Sequence, residues 1–323
     1  MTILITGIHG FVGSNLVAAL SGEHTIYGLD IVSPIKEGVL HTFTWDNLEK
    51  GIVPDVDAII HLAGKAHDTK NLAAAEVYFK VNTGLTQKSY DYFLQSSARK
   101  FIFFSTAKAA ADRVEDVLTE DVIPAPVGPY GESKIKAEEY ILSHMPDTST
   151  SSVSGMAESD SKKVYILRPC LIHGPGNKGN LNLLYNVVKK GIPWPLGAFE
   201  NRRTFTSIDN LSFVISGLLT KEVPSGIYNM GDDEALSTNE LIKVICESLG
   251  KNAHIWKLPK GLMKGIAKAG GWLHLPLDPE RLRKLTENYI SSNAKIKTAL
   301  GIEKMPVRAI DGLKKTLDSF AGK

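Results

Sequence analysis

The residues of this chain best suited to chemistry are Tyr130 and Lys134, in the run Pro129-Tyr130-Gly131-Glu132-Ser133-Lys134. On a helix, residues four apart share a face, so this spacing sets an ammonium beside a phenol. A phenol, with an ordinary pKa of about 10, is a poor base near neutrality, and a neighbouring cation favours its phenolate. A surface helix with a solvated lysine has the same spacing, so the pair gains meaning only from its surroundings. Near the start of the chain, Thr6-Gly7-Ile8-His9-Gly10-Phe11-Val12-Gly13 follows a strand-like run and opens a helical one. Glycines at Gly7, Gly10 and Gly13 permit a tight turn, close approach of backbone to a pyrophosphate and close packing of helix on strand. The helix start at Phe11 and Val12 then faces the negative charge. Asp30 ends the next strand-like run, placed to accept hydrogen bonds from ribose hydroxyls. A carboxylate there repels the extra phosphate of NADP, and no arginine follows at once, so the expected cofactor is NAD. His9 either approaches the pyrophosphate or simply faces solvent.

The elements that position these residues alternate. Short β-branched and aromatic runs at 3–6, 24–30, 58–62, 101–105 and 164–168 read as buried strands, and 11–20, 73–97 and 130–144 as helices. This predicts an α/β chain with a Rossmann-type, doubly wound parallel sheet. Residues 1–172 form the NAD-binding domain, with a Ser-rich insertion at 148–161. Residues 173–323 form mainly a smaller C-terminal substrate-binding α/β domain, while 205–230 returns to the first. In the second half, 238–249 reads as helix, and 279–320 as helical with a break at Met305-Pro306.

Composition excludes several classes. With 43% hydrophobic and 22% charged residues the chain is neither disordered nor fibrous. A net charge of +2 with no basic stripe argues against nucleic acid. Cys170 and Cys246 lie in apolar runs without paired Cys/His spacing, so neither a disulfide framework nor a metal site is expected. The run 261–277 is interrupted by Lys264 and Lys268 and is too short to span a bilayer. With no secretory signal expected ahead of the first strand, a soluble, cytoplasmic protein is predicted.

With these pieces together, the chain resembles the extended short-chain dehydrogenases/reductases of the nucleotide-sugar epimerase/dehydratase family. The motifs that carry the resemblance occur in family order. They are the Thr6–Gly13 loop, His61-Leu62-Ala63-Gly64, Val81-Asn82-Thr83-Gly84, Phe104-Ser105-Thr106, Tyr130 with Lys134, Arg168-Pro169, His173-Gly174-Pro175-Gly176 and Asn201-Arg202-Arg203-Thr204. The run from Gly174 through Leu211, with Lys108, is similar to bacterial UDP-glucose or UDP-N-acetylglucosamine 4-epimerases and 4-ketosugar reductases of surface-polysaccharide assembly. Ala109-Ala110-Ala111 and His173 depart from the commoner pattern. The resemblance implies that Thr106 bonds the reacting sugar oxygen, Tyr130 is the acid/base, and Lys134 holds the nicotinamide ribose. It implies that Ala63, Gly64, Asn82 and Asp46 line the cofactor. It gives Arg203 and Asn180 the diphosphate of a nucleotide-sugar substrate, with a solvated Arg202–Arg203 pair as the alternative. It also implies a homodimer formed through the helices at 73–97 and 130–144.

The same residues serve either of two reactions. A UDP-hexose or UDP-N-acetylhexosamine 4-epimerase oxidises C4 transiently, whereas a 4-ketosugar reductase takes in a ready-made ketone and reduced cofactor. A 4,6-dehydratase is disfavoured because Ala107 and Lys108 follow Thr106 where that branch has an acidic pair. A non-catalytic NAD-binding sensor or scaffold would not need Thr106, Tyr130 and Lys134 together.

Overall fold

The computed structural model describes residues 1–66, 74–146, 161–177, 179–272 and 277–320. The first part runs β1 (Thr2–Thr6), α1 (Phe11–Leu20), β2 (Thr25–Asp30), β3 (His41–Thr44), α2 (Trp45–Glu49), β4 (Ala58–His61) and α3 (Ala75–Tyr78). A π-helical turn (Phe79–Gly84) leads to α4 (Leu85–Gln95), β5 (Lys100–Phe104), α5 (Ala107–Ala110), β6 (Val117–Leu118), α6 (Pro129–Ser143), β7 (Lys163–Pro169) and β8 (Leu171–His173). There follow α7 (Asn180–Lys189), β9 (Phe205–Ser207), α8 (Ile208–Thr220), β10 (Gly226–Met230), α9 (Thr238–Ser248) and α10 (Lys260–Trp272). The chain closes with α11 (Pro279–Thr286), β11 (Ile290–Ser291), α12 (Ala294–Leu300) and α13 (Ala309–Phe320).

Seven of these strands form one parallel sheet in the order β10-β7-β5-β4-β1-β2-β3. Their continuous apolar runs reflect burial on both faces, as parallel sheets require. Ile3, Ile5, Ile60, Ile102 and Leu167 pack with Leu16, Val17, Leu211 and Val214 of α1 and α8. Leu4, Ile59, Phe101, Phe103 and Ile166 pack on the other side with Tyr90, Phe93, Ala137 and Ile141 of α4 and α6. A separate core joins α7, α9, α10 and α13 through Leu181, Tyr185, Leu241, Ile245, Met263 and Leu313.

Register fixes where the site can be. Thr6 pairs with His61 and His61 with Phe103, so the segments leaving β1, β4 and β5 emerge together at one carboxyl edge. In open α/β sheets this edge is where ligands bind.

Three local expectations are revised. The continuous helix at 73–97 is, over its described residues, a short α-helix, a π turn and a second helix. The wider turn sets the buried Asn82 side chain inward, and such insertions are frequent at functional sites. The C-terminal 279–320 stretch contains a short strand, β11, paired with β6, because Tyr289 and Ser291 are tied to Arg202 and Thr204 across the fold. The edge strand β3 gives no such signal, since His41-Thr42-Phe43-Thr44 carries a single apolar residue where β4, equally short, carries three. The Ser-rich run at 148–161 lies outside the described residues except for Ser161.

Candidate active site

The cofactor loop is shaped by close backbone contact. Gly7 has φ +67°, and a side-chain carbon on it would lie 2.9 Å from the Ala63 amide nitrogen. One on Gly13 would meet Gly7 O at 2.6 Å, so α1 can seat against the loop only with glycine there. No side chain caps the start of α1, leaving its first amides, at Phe11, Val12 and Gly13, facing outward as an anion site. Asp30 is half-buried at the end of β2, and its carboxylate accepts the His9 amide at 3.0 Å. Asp46 stands at the start of α2, exposed and paired with Lys50 at 2.6 Å.

A buried relay braces this loop against its neighbours. Thr86 donates to Asn82 O at 2.6 Å and faces His61 Nε2 at 3.0 Å, so it accepts from that nitrogen. His61 Nδ1 then accepts from Thr6 at 2.8 Å, and Thr6 Oγ1 in turn accepts the Ala63 amide at 3.0 Å. Burial, aided by the charge of Lys134, holds the His61 pKa well below its ordinary value. The imidazole is therefore neutral, as the relay demands.

Asn82 is fully buried and spends its amide on positioning. It accepts the Lys65 amide at 2.7 Å and donates to Ser133 Oγ at 2.9 Å. This ties the segment after β4 to α6 between Tyr130 and Lys134. Ser133 gave no signal in the sequence, because a serine on a helix face reads as solvated.

Thr106 lies two residues past the end of β5 and caps α5, its hydroxyl accepting the Lys108 amide at 3.3 Å. Tyr130 lies on the first turn of α6, with Pro129 beginning the helix. Burial raises the Tyr130 pKa, and a hydrogen bond with Thr106 opposes that rise. Thr106 and Tyr130 thus share one contact although 24 residues separate them. Lys134 is buried and donates to Phe104 O at 2.7 Å. A side-chain carbon on Gly64 would lie 3.2 Å from its Nζ and 3.1 Å from Asn82 Oδ1. Burial brings the Lys134 pKa down to about 8, with Glu138 opposing. The simple picture of an ammonium depressing a phenol is therefore modified. Desolvation dominates both groups, and the lysine anchors itself to β5.

Beneath the triad, Glu138 sits one turn beyond Lys134. It receives Arg168 Nε at 3.1 Å and Nη2 at 2.6 Å, together with the hydroxyl of Ser105. Arg168 and Glu138 are buried, so this strap joins β5, β7 and α6 under the site. Neither Glu138 nor Ser105 stood out as more than a motif neighbour in the sequence.

On the far side of Thr106, Lys108 donates to Asp112 Oδ1 at 3.1 Å and covers the Tyr289 ring at 4.6 Å. Arg283 joins Asp112 at 3.3 Å to Glu287 at 2.8 Å. Arg203 donates to Lys284 O at 2.6 Å, and its buried Nε has no partner among the described residues. Asn180 is exposed on the first turn of α7, whereas Asn177 is buried and accepts the Gly179 amide at 2.8 Å. Among the described residues no group of three potential metal ligands exists, and no helix is long and apolar enough to cross a membrane.

A parallel doubly wound sheet with a glycine-lined anion site beside a Thr-Tyr-Lys cluster defines a dinucleotide-dependent enzyme acting at a hydroxyl or carbonyl carbon. The chain belongs to the NAD dependent epimerase/dehydratase family, whose model matches residues 3–231. It is an enzyme of that class, and its cofactor is NAD. Its relatives include a UDP-glucose 4-epimerase of Vibrio cholerae, 30% identical over 278 residues and covering 80% of this chain and 78% of that one. The N-acetyl-alpha-D-glucosaminyl-diphospho-ditrans,octacis-undecaprenol 4-epimerase of Escherichia coli O157:H7 is 24% identical over 263 residues, covering 80% and 75% of the two chains. Among solved structures, UDP-N-acetylglucosamine 4-epimerase from Bacillus cereus shares the fold with a TM-score of 0.74, 21% identity and full coverage of both chains.

Proposed function

We propose that the protein is a nucleotide-sugar 4-epimerase acting on a UDP-hexose or UDP-N-acetylhexosamine. The observation that carries this reading is the contact of the half-buried Tyr130 with Thr106 beside the buried Lys134, at the sheet edge where the glycine loop opens. The 30% identity to a UDP-glucose 4-epimerase supports the choice of substrate class. NAD, when bound, accepts the C4 hydride and returns it.

The chain's own residues handle the oxygen and its proton. The Tyr130 oxygen takes the proton from the C4 hydroxyl as the carbonyl forms and gives it back on reduction. Thr106 holds the same oxygen by hydrogen bond and steadies the charge that develops there. The Lys134 ammonium, fixed by Phe104 O, supplies positive charge to the phenolate and a donor to the nicotinamide ribose. Gly7, Gly10, Phe11, Val12 and Gly13 receive the pyrophosphate, Asp30 the adenosine ribose, and Ala63 and Gly64 flank the cofactor. Asn82 acts by positioning Gly64–Lys65 and α6, and Asp46 stands near the adenine end. Arg203, with a free buried Nε, and Asn180 meet the substrate diphosphate. Dehydration lacks its acid here, since the position after Thr106 is the buried Ala107, and Lys108 is bound to Asp112. A cytoplasmic homodimer formed through α4 and α6 belongs to the same reading.

The test is Tyr130→Phe, assayed for interconversion of UDP-glucose with UDP-galactose and of the N-acetyl pair. Turnover falls by about 10²–10⁴-fold while NAD binding is retained. Wild-type protein that binds NAD but converts no nucleotide sugar overturns the proposal. Turnover confined to a UDP-4-ketosugar with NADH replaces epimerase by reductase.

A further inference from the structure

Helix α10 has three unlike faces. Met263, Ala267 and Gly270 are buried against the C-terminal core. At about 100° per residue, Lys260, Lys264 and Lys268 form an exposed row one turn apart along a second face. The third face carries Gly261, Leu262, Gly265, Ile266, Ala269 and Trp272, all exposed and none charged. Leu262 is 52% exposed, Ile266 45% and Trp272 82%. The helix contains no Asp or Glu. Trp256 and Lys257, both exposed, precede it. On the adjacent α11 the cations are already paired, Arg281 with Asp278, Arg283 with Asp112 and Glu287, and Lys284 with Glu280, so among the described residues of the two helices the free positive charge is that of α10.

Single exposed apolar side chains need no explanation. A tryptophan-bearing apolar face running the length of a helix, edged by lysines and free of acids, has the composition of an interfacial helix. We propose that α10 docks the protein onto an anionic phospholipid bilayer. Leu262, Ile266 and Trp272 enter the headgroup layer, and the lysine row extends alongside to meet lipid phosphates. A second copy of the chain fits this face poorly. Apposed α10 helices bring lysine rows together without a carboxylate on either. A few side chains on one helix also fall far short of the roughly 20–30 residues a side that a stable interface uses.

The test is co-sedimentation of the full chain with phosphatidylcholine vesicles, with and without phosphatidylglycerol. Binding is expected only when the anionic lipid is present and is expected to weaken with salt. The pair Lys264→Glu with Lys268→Glu lowers the partition coefficient by roughly 30-fold or more, two lysines counting about tenfold or less each before reversal is added. The pair Leu262→Ser with Ile266→Ser lowers it by roughly tenfold. Both pairs lie outside the catalytic groups and the buried face, so thermal midpoint and turnover in solution remain those of the wild type and serve as the folding control. Absence of vesicle binding, equal binding to neutral and anionic vesicles, or insensitivity to both pairs overturns the proposal. Self-association in light scattering that these pairs abolish, without vesicle binding, assigns the face to another copy and also overturns it.

Discussion

Replacing Arg168 by Met isolates the strap beneath the active site. The guanidinium makes three contacts shorter than about 3.2 Å to Glu138, from Nε to both carboxylate oxygens and from Nη2 to Oε2 at 2.6 Å. The Arg168 and Glu138 side chains are 2% and 0% exposed. After the substitution Glu138 keeps only the Ser105 hydroxyl, and a buried charge stripped of its partner costs about 3–5 kcal/mol. With a urea slope of about 3 kcal/mol/M, the unfolding midpoint falls by about 1–1.7 M. Glu138→Leu alone strands the arginine and costs a similar amount. The double variant, Arg168→Met with Glu138→Leu, removes both charges and both desolvation penalties, so it loses far less than the sum. The assay is a double-mutant cycle by urea titration, with a coupling energy of about 2–4 kcal/mol expected. Single-variant losses that add to the double-variant loss within about 0.5 kcal/mol would refute the coupling. The strap would then be two independent side chains.

Two further outcomes follow from the geometry. Lys134 holds a pKa of about 8, so a reaction that needs its ammonium declines as pH rises through that value. Stability moves the other way. The unfolded chain keeps this proton up to about 10.4, so between the two values the unfolded state binds more protons and stability rises with pH. It is lost again as pH falls through about 8. A turnover profile that stays flat from about pH 7 to about 9, measured beside the urea midpoint, contradicts this role. Gly13→Ala sets a carbon 2.6 Å from Gly7 O, a backbone atom that cannot swing aside. NAD affinity in a fluorescence titration therefore drops by at least roughly tenfold, with stability lowered by about 1–3 kcal/mol. Unchanged affinity refutes the close seating of α1.

By itself the sequence determined the alternating architecture, because buried parallel strands write themselves as unbroken apolar runs such as Phe101–Phe104, and helices as wider periods. It also determined the glycine loop and the Tyr130/Lys134 spacing, since both are local patterns whose chemistry depends on residues a few positions apart. Tertiary structure decided what those residues experience. Arg168 reads from sequence as a charged strand end, yet it is buried, because its partner Glu138 is supplied by a helix 30 residues earlier. Asn82 reads from its motif as lining the cofactor, and the structure adds that its amide clamps Lys65 and Ser133. Lys134 reads as the tyrosine's cation, yet its charge is anchored to Phe104 O and weakened by burial. None of these is periodic, and each depends on strand register and long-range contact that no short window of sequence contains. The spacing set which groups could meet, and desolvation at the sheet edge set the proton affinity with which they do so.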